Sequence, residues 1–263
     1  MTKLTFAALA LATAVFSLPA SAQEPSWGGL YIGAHGGYAA GDAVADLSHT
    51  TGAIIYGDPF PAGAGALDVS EGWLGGLQIG ANHQRGAFVF GIETDASWTD
   101  LDASGTFTTV TTGPCAPQSC TKWDVDTSLE ALGTVRGRLG LATPRALFYA
   151  TGGLAWAFTD TSQASHHNGP DFATPGGVVS GDSRHIGWTA GGGIELKVGG
   201  GWSIKGEYLY LDLGEADYHL QGTVAPGSTT PWAESFSEDI ELHTARVGLN
   251  YQLWEPEVIG PLK

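Results

Sequence analysis

Eight segments of this chain alternate apolar and polar residues with a period of two. They lie near residues 30–39, 72–82, 86–99, 128–142, 146–159, 185–198, 202–213 and 241–253. Successive side chains of a β-strand point to opposite faces, so this pattern predicts strands with one apolar and one polar face. The 40 glycines and 9 tryptophans among 263 residues, and the lack of any long helical pattern, also favour an all-β fold.

The connections between these segments are alternately long and short. The long ones cover 40–71, 100–127, 160–184 and 214–240, and the short ones cover 83–85, 143–145 and 199–201. All short turns therefore lie at one end of the sheet, which is typical of outer-membrane barrels. Because lipid offers no partner to backbone groups, such a sheet must close on itself. We predict an eight-stranded antiparallel up-and-down transmembrane β-barrel with four long extracellular loops and three short periplasmic turns.

The two ends of the chain lie outside the alternating segments. Lys3, an apolar run over 4–18 and an Ala-Ser-Ala end at Ala22 predict a cleaved signal peptide over 1–22. That run is too short for a spanning helix. We therefore expect a barrel domain over 23–254, a C-terminal tail over 255–263, and export to the bacterial outer membrane.

Charged residues share the polar face of the predicted strands. In 86–99, for example, Phe88, Phe90 and Ile92 alternate with Glu93 and Asp95, and we assign the first face to lipid and the second to the lumen. The lumen residues predicted in this way are Glu93, Asp95, Glu130, Arg136, Arg138, Glu195, Lys197, Lys205, Glu207 and Arg246. Five of each sign suggest an ionic network. Since side chains can fill an eight-stranded barrel, we expect this network to plug it, and the alternative is a narrow pore.

Aromatic residues cluster near the predicted strand ends or on outward faces. They are Trp27, Tyr31, Trp73, Trp98, Trp188, Trp202, Tyr208, Tyr210 and Trp254. We interpret them as interfacial girdles, with ordinary packing at the barrel rim as the alternative.

The net charge argues against nucleic acid as a partner. The printed chain carries −16, and loss of Lys3 with the signal leaves 10 basic and 27 acidic residues, or −17. Such a charge repels phosphate, and no basic cluster with interleaved aromatics offsets it.

Several motifs together resemble the opacity-type porin family of alphaproteobacterial surface antigens. They are the segments 27–33 (WGGLYIG), 36–38 (GGY), 133–140 (GTVRGRLG), 149–155 (YATGGLA), 187–191 (GWTAG), 205–214 (KGEYLYLDLG) and 246–251 (RVGLNY). The resemblance implies an eight-stranded barrel similar to the membrane domain of outer membrane protein A, with a role in envelope integrity or surface exposure and no catalysis. Members usually end on an aromatic residue, whereas here Trp254 is followed by nine residues.

The resemblance also implies partners. They are outer-membrane lipid and lipopolysaccharide, periplasmic chaperones and the barrel-assembly machinery during biogenesis, and surface ligands that contact the loops. We expect no resident cofactor or metal.

Cys115 and Cys120 are the only cysteines of the chain and lie in one predicted loop. In an oxidising periplasm we expect them to form a disulfide, with a metal site or free thiols as the alternative.

Loop histidines and acids offer weaker hypotheses. His166 and His167 are adjacent, and His49, His185, His219 and His243 lie in other loops or strand ends, so haem or metal binding is one interpretation and solvated histidines the other. The dispersed acids contain no calcium-loop motif. Short runs such as Ser165-His166 lack any nucleophile motif, so we expect a structural or surface-interaction barrel rather than an enzyme, with a narrow porin or a haem receptor as alternatives.

Overall fold

The computed structural model describes residues 26–46, 64–69, 71–110, 120–167, 174–223 and 231–254, and these contain nine β-strands. The strands are β1 (Gly29–Asp46), β2 (Ala64–Val69), β3 (Gly72–Arg85), β4 (Phe88–Val110), β5 (Cys120–Ala142), β6 (Ala146–His167), β7 (Thr174–Gly199), β8 (Trp202–Thr223) and β9 (Pro231–Trp254). No helix in the described residues is long and apolar enough to cross a membrane.

The sheet closes into an eight-stranded antiparallel barrel. Neighbours in space follow chain order from β3 to β9, and β1 pairs with both β3 and β9. The closing pair runs from Leu30 opposite Trp254 to Asp46 opposite Ser237. The predicted fold is therefore confirmed, because β1 and each strand from β3 to β9 pair with a neighbour on both sides.

The short strand β2 and the strand β3 occupy the same position in the barrel wall, between β1 and β4. β3 pairs with residues 29–39 of β1, and β2 pairs with residues 43–46 of the same strand. β2 also pairs with β4 at Ser104 and Ala103. The nine strands thus fill eight positions in the barrel wall, and the position shared by β2 and β3 is interrupted between Val69 and Gly72.

The strands are longer than the sequence pattern predicts. β4 runs to Val110 rather than 99, β7 begins at Thr174 rather than 185, and β9 begins at Pro231 rather than 241. Much of each predicted long connection is therefore barrel wall. The short turns lie as expected at 143–145 and near 199–201, but the first lies at Gly86 and Ala87 instead of 83–85, where Gly86 has a φ of +62° that favours glycine.

Outward apolar side chains form a band between two aromatic levels. The upper level includes the pairs Tyr38–Trp73 and Trp188–Tyr210, with ring centroids 5.2 and 5.3 Å apart. The lower level includes Trp202 and Tyr251, with centroids 4.9 Å apart. Between them the exposed residues are apolar, as expected of a lipid-facing surface.

Beyond the upper aromatic level many of the outward residues are acidic. We call these parts of the strands the extracellular extensions: 40–46, 64–69, 100–110, 120–131, 159–167, 174–185, 211–223 and 231–242. Here Asp100, Asp102, Asp126 and Asp217 are exposed, whereas their inward neighbours are buried. The extensions therefore stand outside the apolar band.

The lumen is layered. At its base Trp27, Val89, Leu147 and Tyr149 form a small apolar cluster. Charged residues lie above it. A larger apolar cluster, which includes Leu74, Leu101, Leu129, Leu132, Leu209, Leu211, Leu213, Ile240 and Leu242, fills the lumen further up.

Candidate functional site

Eight charged side chains from five strands meet in the middle of the lumen. The strands place them there because alternate residues face inward. The residues are Glu93 and Asp95 of β4, Arg136 and Arg138 of β5, Glu195 of β7, Lys205 and Glu207 of β8, and Arg246 of β9. Each is at most 5% exposed. Four acids and four bases balance, and we call this set the ionic network.

Arg136 is the centre of the ionic network. Its Nη2 lies 2.6 Å from Glu93 Oε1 and 3.1 Å from Asp95 Oδ2, both on the neighbouring strand β4. Its Nη1 lies 3.0 Å from Glu207 Oε1 on β8, three strands away. One guanidinium therefore joins opposite walls of the barrel.

Two further cations also reach across the lumen to β4. Lys205 Nζ lies 2.8 Å from Glu93 Oε1 and 3.8 Å from Glu207 Oε2. Arg246 Nη1 lies 3.0 Å from Asp95 Oδ1. Glu93 and Asp95 therefore each contact at least two cations, which offsets the cost of removing their charges from water.

Arg138 forms a second centre below Arg136. Its Nη2 donates to Glu195 Oε2 at 2.5 Å and its Nη1 donates to Tyr31 Oη at 3.0 Å. The guanidinium carbon lies 3.7 Å from the ring centroid of Tyr149, a cation–π distance. Glu195 also accepts hydrogen bonds from Ser203 Oγ at 2.5 Å and Asn250 Nδ2 at 2.8 Å.

Two tyrosines and a polar chain complete this layer. Tyr31 Oη donates to Glu93 Oε2 at 2.7 Å, and Tyr149 Oη donates to Glu207 Oε1 at 2.9 Å. His35 bridges Gln78 Oε1, at 3.0 Å, and Ser97 Oγ, at 2.8 Å. The sequence pattern predicts Tyr31 in an outward girdle, but this prediction is wrong, because Tyr31 is 5% exposed and faces the lumen. Tyr31 and His35 are four residues apart on β1, so they lie on the same face of the strand. A polar residue at His35 is therefore a sequence signal that this face points into the lumen.

Glu130 is the clearest correction to the predicted set. The sequence pattern predicts Glu130 in the lumen, but its side chain is exposed on the outer face of β5. The pairing of β5 with β6 shifts between Leu129 and Ala131, so the inward positions change from odd to even numbers there. A bulge of one residue reverses the face of every residue beyond it.

Lys197 lies apart from the ionic network, at the periplasmic base. Its Nζ donates to the backbone oxygen of Ser26 at 2.5 Å and lies 4.9 Å from the ring centroid of Trp27. The residue is only half-buried. It therefore holds the start of the barrel domain and does not pair with Glu195.

Trp27 closes the base of the lumen instead of joining a girdle. It is 5% exposed, its Nε1 donates to Thr143 O at 2.9 Å, and its backbone N–H donates to Gln84 Oε1 at 2.6 Å. Gln252 Nε2 donates to the next residue, at Gly28 O, over 2.6 Å. The segment before β1 is thus tied to several points of the periplasmic rim, which period-two reasoning could not have found.

The cysteine and loop histidine hypotheses meet the described structure only in part. Cys115, His49 and the tail over 255–263 lie outside the described residues, as does the predicted signal peptide; Cys120 begins β5. His166 Nδ1 lies 3.5 Å from Asp124 Oδ2, and His185 is buried in the barrel. Within the described ranges no group of three His, Cys, Asp or Glu is arranged to hold a metal ion.

Comparison with known proteins identifies the family. Residues 8–252 match the family described as "Outer membrane protein beta-barrel domain". The chain belongs to this family. A 31 kDa outer-membrane immunogenic protein of Brucella melitensis is 35% identical, over 86% of this chain and 84% of the relative. A 22 kDa outer membrane protein of Rhizobium leguminosarum is 27% identical, over 85% and 77%.

Family membership confirms the predicted resemblance to alphaproteobacterial surface antigens and the location in the outer membrane. Among solved structures, the outer membrane protein OprG from Pseudomonas aeruginosa aligns with 86% of this chain and 97% of its own, at 11% identity and a TM-score of 0.42.

Proposed function

We propose that this outer-membrane barrel has a structural or surface-interaction role and that its lumen does not conduct. The observation that carries the proposal is the apolar layer of the lumen, where Leu132, Leu209 and Leu242 are at most 1% exposed. A hydrated ion would have to shed its water to pass such a constriction. The ionic network below adds fixed, mutually paired charges to the same path.

The extracellular extensions are the proposed contact surface. Their outward residues are rich in acids, including Asp160, Asp182 and Glu215, and surface charge of one sign favours partners of the other sign. The name of the Brucella relative, an immunogenic protein, supports a surface that is reached from outside. Lipid and lipopolysaccharide around the apolar band, and chaperones and the assembly machinery during biogenesis, remain proposed partners.

We propose further that the chain is not an enzyme. Ser97, His35 and Gln78 form a hydrogen-bonded chain that resembles a nucleophile, a base and an orienting group, but all three are at most 7% exposed. Gln78 also donates to Asn250 Oδ1 at 2.5 Å. This burial between the ionic network and the apolar layer supports a packing role.

Single-channel recording in planar bilayers tests the closed lumen. The refolded full chain, with heat-modifiable gel mobility as proof of folding, should insert and remain silent. The double variant Leu132→Ser/Leu209→Ser, which makes the apolar layer polar, should conduct more than the wild type. Val178→Ser removes an apolar side chain that is 54% exposed on the outside and serves as the matched control.

Steady, ion-selective currents from the folded wild-type protein would contradict the closed lumen. They would make the narrow porin the leading interpretation. In that case Arg136, Arg138, Glu93 and Glu207 would line the conducting path, and substitutions there should change ion selectivity.

A further inference from the structure

A buried carboxylate lies in the extracellular extensions, away from the ionic network. Glu238 of β9 is 0% exposed. Its sequence neighbour Asp239 is exposed on the outside, and Ile240 and Leu242 share its inward face as part of the apolar layer. Glu238 is therefore an acid at the edge of an apolar core, outside the membrane-spanning band.

The hydrogen bonds to Glu238 come from neutral hydroxyls. Its Oε2 accepts from Thr127 Oγ1 of β5 at 3.1 Å, and Tyr218 of β8 is a second donor. The Tyr218 hydroxyl in turn contacts Thr159 Oγ1 at 2.6 Å and His185 Nε2 at 2.8 Å. Glu238 Oε1 has no hydrogen-bond partner among the described residues.

No cation compensates this carboxylate in the part of the chain that the structure describes, where none of the Lys and Arg ion pairs involves Glu238. The connecting segments 47–63, 111–119, 168–173 and 224–230 contain no Lys or Arg at all. Arg184 is exposed, with its guanidinium carbon 5.2 Å from the Phe158 ring centroid.

The titratable groups that face Glu238 are also few. His185 of β7 and Tyr218 of β8 are the inward ones described; β5 and β6 present threonines there, and β1 presents Ala43. On β9 itself Asp239 and Glu241 face outward. The only titratable residue of β2 is Asp68.

Burial without a counter-charge favours the neutral form of the acid. Desolvation raises the pKa of Glu238 to about 7, and the hydrogen bonds from Thr127 and Tyr218 only partly oppose the shift. An ionised carboxylate in this place would cost far more than a neutral acid.

We propose that Glu238 is a proton-binding site of the extracellular extensions, and that loss of its proton loosens the strands around it. The ligand is the proton itself, held by a carboxyl group among threonine and tyrosine hydroxyls. This inference does not depend on whether the lumen conducts.

The sign of the resulting pH dependence is fixed by the direction of the shift. Because the folded-state pKa is raised, the stabilisation is fully present below the unfolded pKa near 4.5 and is lost as pH rises through about 7. Between the unfolded pKa and the folded-state pKa the opening equilibrium rises about tenfold per pH unit, and above the folded-state pKa the rise levels off because both states have lost the proton. The opening equilibrium of the extensions should therefore rise about tenfold between pH 6 and pH 8.

Infrared spectroscopy of the refolded full chain observes the proton directly. A neutral carboxyl band at pH 6 should disappear with a midpoint near 7 and should be absent from Glu238→Gln. Glu215→Gln, which removes an exposed carboxylate from the same extensions, should leave the band unchanged. Amide hydrogen exchange, corrected for intrinsic rates, should show the tenfold pH effect in the wild type and Glu215→Gln but not in Glu238→Gln.

Two results would overturn the proposal. One is the absence of a neutral carboxyl band at pH 6 in folded protein. The other is a midpoint that moves when choline is replaced by sodium as the only cation, which would assign the site to a metal cation. If Glu238→Gln fails to fold, Tyr218→Phe serves instead: loss of a hydrogen-bond donor should move the midpoint to higher pH, and an unchanged midpoint would reject Glu238 as the titrating group.

Discussion

Substitution of Arg136 by Met tests whether the buried charges act as one network. Glu93 would keep Lys205 at 2.8 Å and Asp95 would keep Arg246 at 3.0 Å, but the nearest cation left to Glu207 would be Lys205 at 3.8 Å. Breaking a buried ion pair by removal of one partner costs about 3–5 kcal/mol, because a charge stays buried without compensation. We expect a loss of that size in the free energy of unfolding.

A second substitution, Glu207→Gln, tests whether the stability lost in Arg136→Met comes from the uncompensated Glu207 carboxylate. Arg136→Met/Glu207→Gln leaves three acids and three bases in the lumen, and it should recover much of the stability, with a coupling energy of about 0.5–3 kcal/mol. Urea unfolding of the barrel refolded in lipid vesicles measures both the loss in Arg136→Met and the recovery in the double variant. Arg136→Met/Glu241→Gln changes the net charge equally but at an exposed residue. If that control recovers as much unfolding free energy as the Glu207 variant, the Arg136–Glu207 contact is not the cause of the loss and only the overall charge matters.

Three further predictions concern the outer face, the base and the extensions. Val247, 62% exposed in the apolar band, should not tolerate Arg: near the bilayer midplane the cost in unfolding free energy is about 2–4 kcal/mol, and normal assembly of Val247→Arg would reject the assigned face. Trp27→Ala should cost about 3–5 kcal/mol in the same urea assay because it empties the base of the lumen, and an unchanged midpoint would show that Trp27 contributes no packing. Glu238→Gln should remove the decline in stability that the wild type shows from pH 6 to pH 8, and a parallel decline in both proteins would assign it to another group.

The sequence was sufficient to predict the barrel and most of the network, because a period of two assigns inside and outside without any knowledge of contacts. Eight of the ten predicted charges do meet in the lumen. The pattern failed at Glu130 because a bulge changes parity locally and leaves no mark in composition. It could not place Trp27, which precedes β1 and so belongs to no alternating segment.

The strands extend further at their extracellular ends than the sequence pattern predicts, for a different reason. Within the band the outward residues are apolar and the inward ones polar, as at Phe90 and Glu93 of β4. Beyond the upper aromatic level the relation reverses, since Leu101 is buried and Asp100 is exposed on the same strand. A search for apolar-outside alternation therefore stops near residue 99, although the strand continues to Val110.

This reversal follows from the change of solvent along one continuous wall. Where lipid surrounds the barrel, apolar groups face outward and the interior can hold charges only as a paired set, which is the composition of the ionic network. Where water surrounds it, apolar burial becomes favourable again, and the interior holds an apolar cluster beside buried threonine and tyrosine hydroxyls. Such a core tolerates an ionised acid poorly. Packing alone therefore does not explain the presence of Glu238 there, whereas a bound proton would neutralise its charge.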